Sequence, residues 1–425
     1  MKINVKEGQM LIREKVKVVE PYRFENLHGH VTIDLHNHKS GFTERVAEGD
    51  NLVTDAIQNI INAYAVGGQV APSTLFPIAT NLLGGVMIFD GPLTEDPSNC
   101  EFPSEAHYVG GAGDTANGSS TVIGTRNNTE SGRVTNGYKT VWDFSTSQAN
   151  GEIGSLARTL VSYGNGLLAD HAHARATVGY QAIGFTTDGY SLNTNGTKTR
   201  IYLDRVPVMM EGISYEAPVE NAIKTPPASV WWDFDQRTGI AYSTSNGDTW
   251  YKYDSNTDEF TKLDRKVSGM DWKGYPLVCE GYLIARNGGT KTFVRAPLNN
   301  IPGLIEYEEL DITLKGWNDN AIRRIGNAAL VPGTTNDSND RSYLLYPDGV
   351  AKCLGQSPQQ ALFVAGDMST IIRGRGLEYS ISYSNNGSRG VRPANGFLGT
   401  IFNLDEIVTK TASQSMKITY TLTNE

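Results

Sequence analysis

Short runs of alternating apolar and polar residues dominate this chain. "HVTIDLH" (30–36) sets Val31, Ile33 and Leu35 against polar neighbours, and "SMKITYTL" (415–422) does the same with Met416, Ile418, Tyr420 and Leu422. A period of two puts one set of side chains on a buried face and the other toward water, so both runs predict half-buried strands, here of one sheet. One segment follows the helical period instead. "NLVTDAIQNIINAYA" (51–65) brings Leu52, Val53, Ala56, Ile57, Ile60 and Ile61 onto one stripe. Asp50 would cap that helix at its start, and Gly67 and Gly68 would end it.

Turn signals separate the strands. Asn-Gly begins at Asn117, Asn136, Asn150, Asn165, Asn195, Asn246, Asn287, Asn386 and Asn395, and Asp-Gly at Asp90, Asp188 and Asp348. Both pairs suit the left-handed backbone of the tight turns that join antiparallel strands. The sequence therefore predicts a mainly β protein. It would have a sandwich-like scaffold with one N-terminal helix (about 51–65) and an inserted β-rich middle domain, propeller-blade-like or a sandwich. A Pro-rich crossing, "APVENAIKTPPASV" (217–230), precedes a stretch in which aromatics alternate with turns. The predicted divisions are an extended assembly arm or edge strands at 1–28, a scaffold at 29–227, the middle domain at 228–360, and C-terminal strands completing the scaffold at 361–425.

Composition narrows the function. Among 425 residues, 37 Lys plus Arg against 46 Asp plus Glu leave a net charge of −9, which argues against a phosphate-backbone binder. No apolar window reaches the roughly 20 residues of a spanning helix. The first twenty residues are too charged for a secretory signal. Cys100, Cys279 and Cys353 lie far apart, so neither a disulfide framework nor a thiolate zinc site organises the chain.

Candidate chemistry comes in two clusters. Six of seven histidines fall in His-x-His pairs, at His28/His30, His36/His38 and His171/His173. On one continuous strand His28, His30, His36 and His38 would share a face with Asp34, and paired imidazoles can bind a metal. The competing reading is a solvated strand face broken by a turn at "HNHKSG". Trp231, Trp232, Trp250, Tyr251, Tyr253 and Trp272 form the densest aromatic group. Exposed, they would stack on sugars or anchor a protein partner; buried, they are a core. Catalytic signatures are missing. "GAGDTA" (111–116) fits a dinucleotide fingerprint only formally, and the carboxylates of 233–264 suit turns. No enzymatic activity and no cofactor are expected.

Two resemblances follow from particular residues. "STSNGDTW" (243–250) resembles the Asp-box hairpin of sialidase-like propellers through Ser243, Gly247, Thr249 and Trp250, with Ser245 replacing the defining Asp. "GHVTIDLHNHKSGFTERVAEGDNLVTDAI" (29–57), "GTRNNTESGRVTNGYKTVWDFSTSQANGEI" (124–153) and "NGFLGTIFNLDEIVTKTASQSMKITYTLTNE" (395–425) together resemble structural proteins of phages infecting Gram-positive gut bacteria. That resemblance implies a tail-fibre or appendage subunit that takes part in host attachment and carries no catalytic residues. It would be a virion protein made in the host cytoplasm. It would form a homo-oligomer, with a trimer favoured, and contact neighbouring tail proteins. A host-surface glycan or protein is a further expected partner, with neither nucleic acid nor membrane insertion. Two alternatives stay open: a collar, baseplate or head-decoration protein without a receptor, and a virion-associated glycan hydrolase.

Overall fold

The computed structural model describes residues 4–6, 9–11, 27–57, most of 80–164, 189–204 except 196–197, the strands and some connections between 233 and 393, and 396–424. The described residues are mainly β. A short hairpin, β1 (Asn4–Lys6) with β2 (Gln9–Leu11), precedes the scaffold. The scaffold uses β3 (Leu27–Asn37), β4 (Thr43–Val53), β5 (Gly85–Phe89), β6 (Tyr108–Ala112), β7 (Thr125–Arg126), β8 (Gly132–Val134), β9 (Gly137–Phe144) and β10 (Gly151–Thr159).

The inserted region follows. It holds a hairpin, β11 (Gly189–Asn195) with β12 (Lys198–Asp204). Next come three four-stranded antiparallel meanders. The first is β13 (Asp233–Asp235), β14 (Ile240–Thr244), β15 (Trp250–Asp254) and β16 (Glu259–Leu263). The second is β17 (Trp272–Cys279), β18 (Tyr282–Asn287), β19 (Thr292–Pro297) and β20 (Ile305–Glu306). The third is β21 (Arg323–Ile325), β22 (Ala328–Val331), β23 (Arg341–Leu345) and β24 (Ala351–Gln356). A three-stranded sheet, β25 (Thr370–Gly374), β26 (Leu377–Tyr383) and β27 (Arg389–Pro393), completes the insertion. The chain then returns to the scaffold as β28 (Thr400–Lys410) and β29 (Gln414–Asn424).

Scaffold strands run in the order β6-β5-β10-β28-β4-β3-β29-β9-β7, with β8 beside β9. Gly111 in β6 accepts from Gly124 and donates to Val122, just ahead of β7, so the two edges of the sheet meet. The result is one nearly closed, barrel-like sheet where the sequence predicted a sandwich-like scaffold. β28 and β4 hold together through only Thr400↔Val53 and Ile401↔Leu52, which makes a corner there. β29 lies between β3 and β9, with Ile418 opposite Ile33 and Trp142, so the two alternating runs do share one sheet.

Alternate residues of several strands serve different cores. Val86 and Ile88 of β5 face the barrel interior with Val31, Ile33, Ile418 and Trp142, while Met87 and Phe89 point outward. Outside, they pack with Phe102, Tyr108, Ile325, Leu330, Leu344 and Tyr346, joining the barrel to the β21–β24 sheet. A third cluster (Leu277, Ile284, Phe293, Val331, Leu345) packs the β17–β20 sheet against β21–β24. Arg158 is fully buried in the barrel, its guanidinium carbon 5.0 Å from the Trp142 ring centre and 4.5 Å from that of Tyr420. Burial draws its pKa down to about 10.

The predicted helix needs correction. Asn51, Leu52 and Val53 are the end of β4, and Asp50, the expected cap, is a strand residue. Leu52 packs on the outer core and Val53 on the inner one, so adjacent apolar residues mark a strand covered on both sides. Only Ala56 and Ile57 are helical before the described residues stop, and residues 58–65 lie outside them. Thr54 takes the capping role: its Oγ1 accepts from Ala56 N–H and donates to Leu398 O at 2.6 Å. The hairpin signal at Asn136 fares well. Asn136 has φ 54 between β8 and β9, and a Cβ on Gly137 would stand 2.1 Å from Leu422 O.

Candidate functional site

β3 carries the first histidines as its alternation requires. His28, His30, Asp34 and His36 project outward while Val31, Ile33 and Leu35 are buried; His38 lies beyond the strand, in the turn. The two pairs sit toward opposite ends of the strand. His30 and His36 are six residues apart, roughly 20 Å along a strand, too far to share an ion. Each ring has its own neighbours. His30 Nδ1 meets Asp50 at 2.9 Å and its Nε2 meets Glu48 at 3.4 Å. His36 Nδ1 meets the Thr43 hydroxyl at 2.8 Å and His38 Nε2 the Ser415 hydroxyl at 3.1 Å, with the two rings edge-on at 4.9 Å. Among the described residues no three metal-ligating side chains converge. His171 and His173 lie outside the described residues.

An open cleft of about 610 Å³ lies over this part of the sheet. Its walls come from β3, the start of β4, β29, β9 and β7 and the turn after β9, and include Asp34, His36, Thr43, Thr125, Asp143 and Lys417. Cross-strand register explains why these residues meet: Asp34 pairs with Lys417, Lys417 with Asp143, and Asp143 with Thr125. Charges are matched locally. Arg45 binds Asp34 at 2.9 Å, and Lys417 bonds Glu130. The Glu130 bond, helped by Asp143 and Asp34, raises the Lys417 pKa. Asn127 Nδ2 donates to Asp143 Oδ2 at 2.8 Å.

A second polar cluster joins barrel and insertion. Asp90, at the end of β5, accepts from His107 N–H at 2.7 Å and meets His107 Nδ1 and Lys352 Nζ, each at 2.9 Å. His107 Nε2 meets Asp348 at 2.9 Å, in the turn between β23 and β24. The Tyr346 ring stands edge-on to the imidazole at 4.6 Å, and Tyr346 Oη accepts from Tyr108 N–H at 2.8 Å. The bond to Asp90, then that to Asp348, raises the His107 pKa against the effect of burial. Burial opposes the Asp90 anion, but the His107 and Lys352 bonds outweigh it and hold the carboxyl below the usual range. Both ring nitrogens are committed to carboxylates, so His107 clamps two parts of the fold and has no atom left to take a substrate proton. Sequence reasoning passed over His107 because it is the one histidine outside a pair, and its partners lie 17 and 241 residues away.

The aromatic group divides. Trp250, Tyr251 and Tyr253 lie in β15 and Trp272 opens β17, but their side chains fall outside the described residues, as do Trp231 and Trp232 altogether. Thr244 pairs with Trp250 in β14 and β15, so the strands of the Asp-box-like hairpin are in place.

No protein family and no curated protein matches the chain in sequence. Distant solved structures do. A structural genomics protein of unknown function from Bacteroides thetaiotaomicron VPI-5482 is 12% identical over 76% of this chain and 91% of its own, with a TM-score of 0.30. Catalytically inactive virginiamycin B lyase from Staphylococcus aureus with quinupristin is 8% identical over 80% and 97%, with a TM-score of 0.26. A chain of an S. cerevisiae Dbp5 complex with Nup159, Gle1, IP6 and ADP is 10% identical over 49% of this chain and only 59% of its own length, with a TM-score of 0.26.

Proposed function

We propose that this chain is a bacteriophage virion subunit, a tail-fibre or appendage protein taking part in host attachment. One observation carries the reading. The three stretches that resemble phage structural proteins, far apart in sequence, supply six neighbouring strands of one sheet, β28-β4-β3-β29-β9-β7, and the first residues of β10. Similarity confined to one barrel is what a shared assembly scaffold with a variable insertion would leave. The inserted meanders are read as blades of a small propeller, with β11 lying against β25 where its ends meet. In this reading the barrel assembles with copies of itself, a trimer in the first instance, and with tail neighbours, and the insertion is displayed.

Mass spectrometry of purified particles, with immunogold labelling by antibody against 233–356, tests it. Label at the tail supports the proposal, and a chain missing from the particles refutes it. A second reading, a collar or decoration protein without a receptor, draws on the apolar packing of the β21–β24 sheet onto the barrel. It predicts protein in the particle but no label until the particle is disrupted.

A further inference from the structure

We propose that the cleft over β3, β29, β9 and β7 is a saccharide site, and that its ligand is an uncharged sugar chain. The proposal stands on the cleft itself and does not rest on the virion reading. At about 610 Å³ the cleft lies within the range of small-molecule sites, roughly 300–1,000 Å³. Sugars present hydroxyls that donate and accept, so they need a fixed set of both kinds of group. Three atoms of the wall are positioned and uncommitted among the described residues. Asp143 is held through Oδ2 by Asn127, and no hydrogen bond takes its Oδ1. His36 is held through Nδ1 by Thr43, leaving Nε2. The Thr125 hydroxyl is the third.

Charge decides the class of sugar. Lys417 is the cation of the wall, and it is bonded to Glu130 and flanked in register by Asp34 and Asp143. A sulfated or phosphorylated chain would meet more carboxylate than ammonium there. Strands supply most of the contacts, so the groups are fixed before a ligand arrives.

Saturation-transfer NMR on the full chain tests this. The probes are methyl glycosides of glucose, galactose, rhamnose and N-acetylglucosamine, with glucose 1-phosphate as the charged comparison. Expected is transfer to at least one neutral glycoside, weakened about fivefold by Asp143→Ala and again by His36→Ala, and unchanged by Trp250→Ala. Melting curves matching the parent show that the cleft variants are folded. Transfer to none of the neutral probes overturns the proposal. So does tighter binding of the phosphate, binding that survives both cleft substitutions, or binding lost only with Trp250→Ala.

Discussion

Replacing Asp90 with asparagine tests whether the His107 cluster clamps the insertion to the barrel. Three donors end on this carboxylate: His107 N–H, the His107 ring and Lys352. Asparagine keeps an oxygen for the N–H but removes the charge from the other two. The His107 pair is shielded, at 17% and 18% exposure, and belongs with hydrogen bonds to charged groups, about 1.5–3 kcal/mol. Lys352 is 36% exposed and screened, so its bond adds about 0.2–1 kcal/mol. The expected loss is about 2–4 kcal/mol. Its pH dependence separates a clamp from mere packing. His107 has a raised folded pKa, so its contribution is complete below about 6.5 and fades as pH rises through the folded value. Asp90 has a lowered one, so its contribution is present above about 3.9 and fades on acidification. Urea unfolding of both proteins at pH 5.5 and 9, followed by tryptophan fluorescence, should give the full loss at the lower pH. The loss should be smaller at the higher, where the imidazolium charge fades. Equal losses at both, or under about 0.5 kcal/mol at pH 5.5, would refute the clamp.

Arg158→Ala should cost about 3–5 kcal/mol by thermal melting, because it leaves a void between Trp142 and Tyr420; a cost under about 1 kcal/mol would count against their stacking on the guanidinium. Lys410 donates to Ser145 O and Asn150 Oδ1, and burial lowers its pKa to about 8. The unfolded chain thus holds that proton more tightly, and stability should rise as pH climbs from about 8 toward 10, a rise that Lys410→Met flattens. Gly326 has φ +50, and a Cβ there would stand 2.5 Å from Phe102 O, so Gly326→Ala should loosen the β21–β24 sheet from the barrel and speed hydrogen exchange in both. Thr54→Ala should cost about 1–2 kcal/mol in denaturant unfolding through loss of its bond to Leu398 and of the cap.

Strand alternation was legible wherever one face of a strand meets water. β3 and β29 announce themselves for that reason, and so does their shared sheet. The end of β4 was not legible, because Leu52 and Val53 are covered on opposite sides by two different cores, each drawing residues from distant parts of the chain. A strand buried on both faces loses its period of two and imitates a short helical stripe. The cleft was half visible: parity brought His36 and Asp34 to one face, but Asp143 and Thr125 join them only through the register of β29 and β9. Arg158 and His107 gave no local signal, since their partners are set by topology.

The position of β28 and β29 has a consequence for biosynthesis. The meanders between 233 and 356 pair neighbours in sequence, and such local pairing closes quickly. β3 and β4 leave the ribosome long before their partners β29 and β28, with more than two hundred residues of insertion between. During that interval their edges are open to any other nascent chain on the same message. At the roughly 5–20 residues per second of synthesis, the wait lasts on the order of tens of seconds. The insertion can pair its own strands before β28 and β29 exist, so crowded translation endangers the half-built barrel more than the insertion.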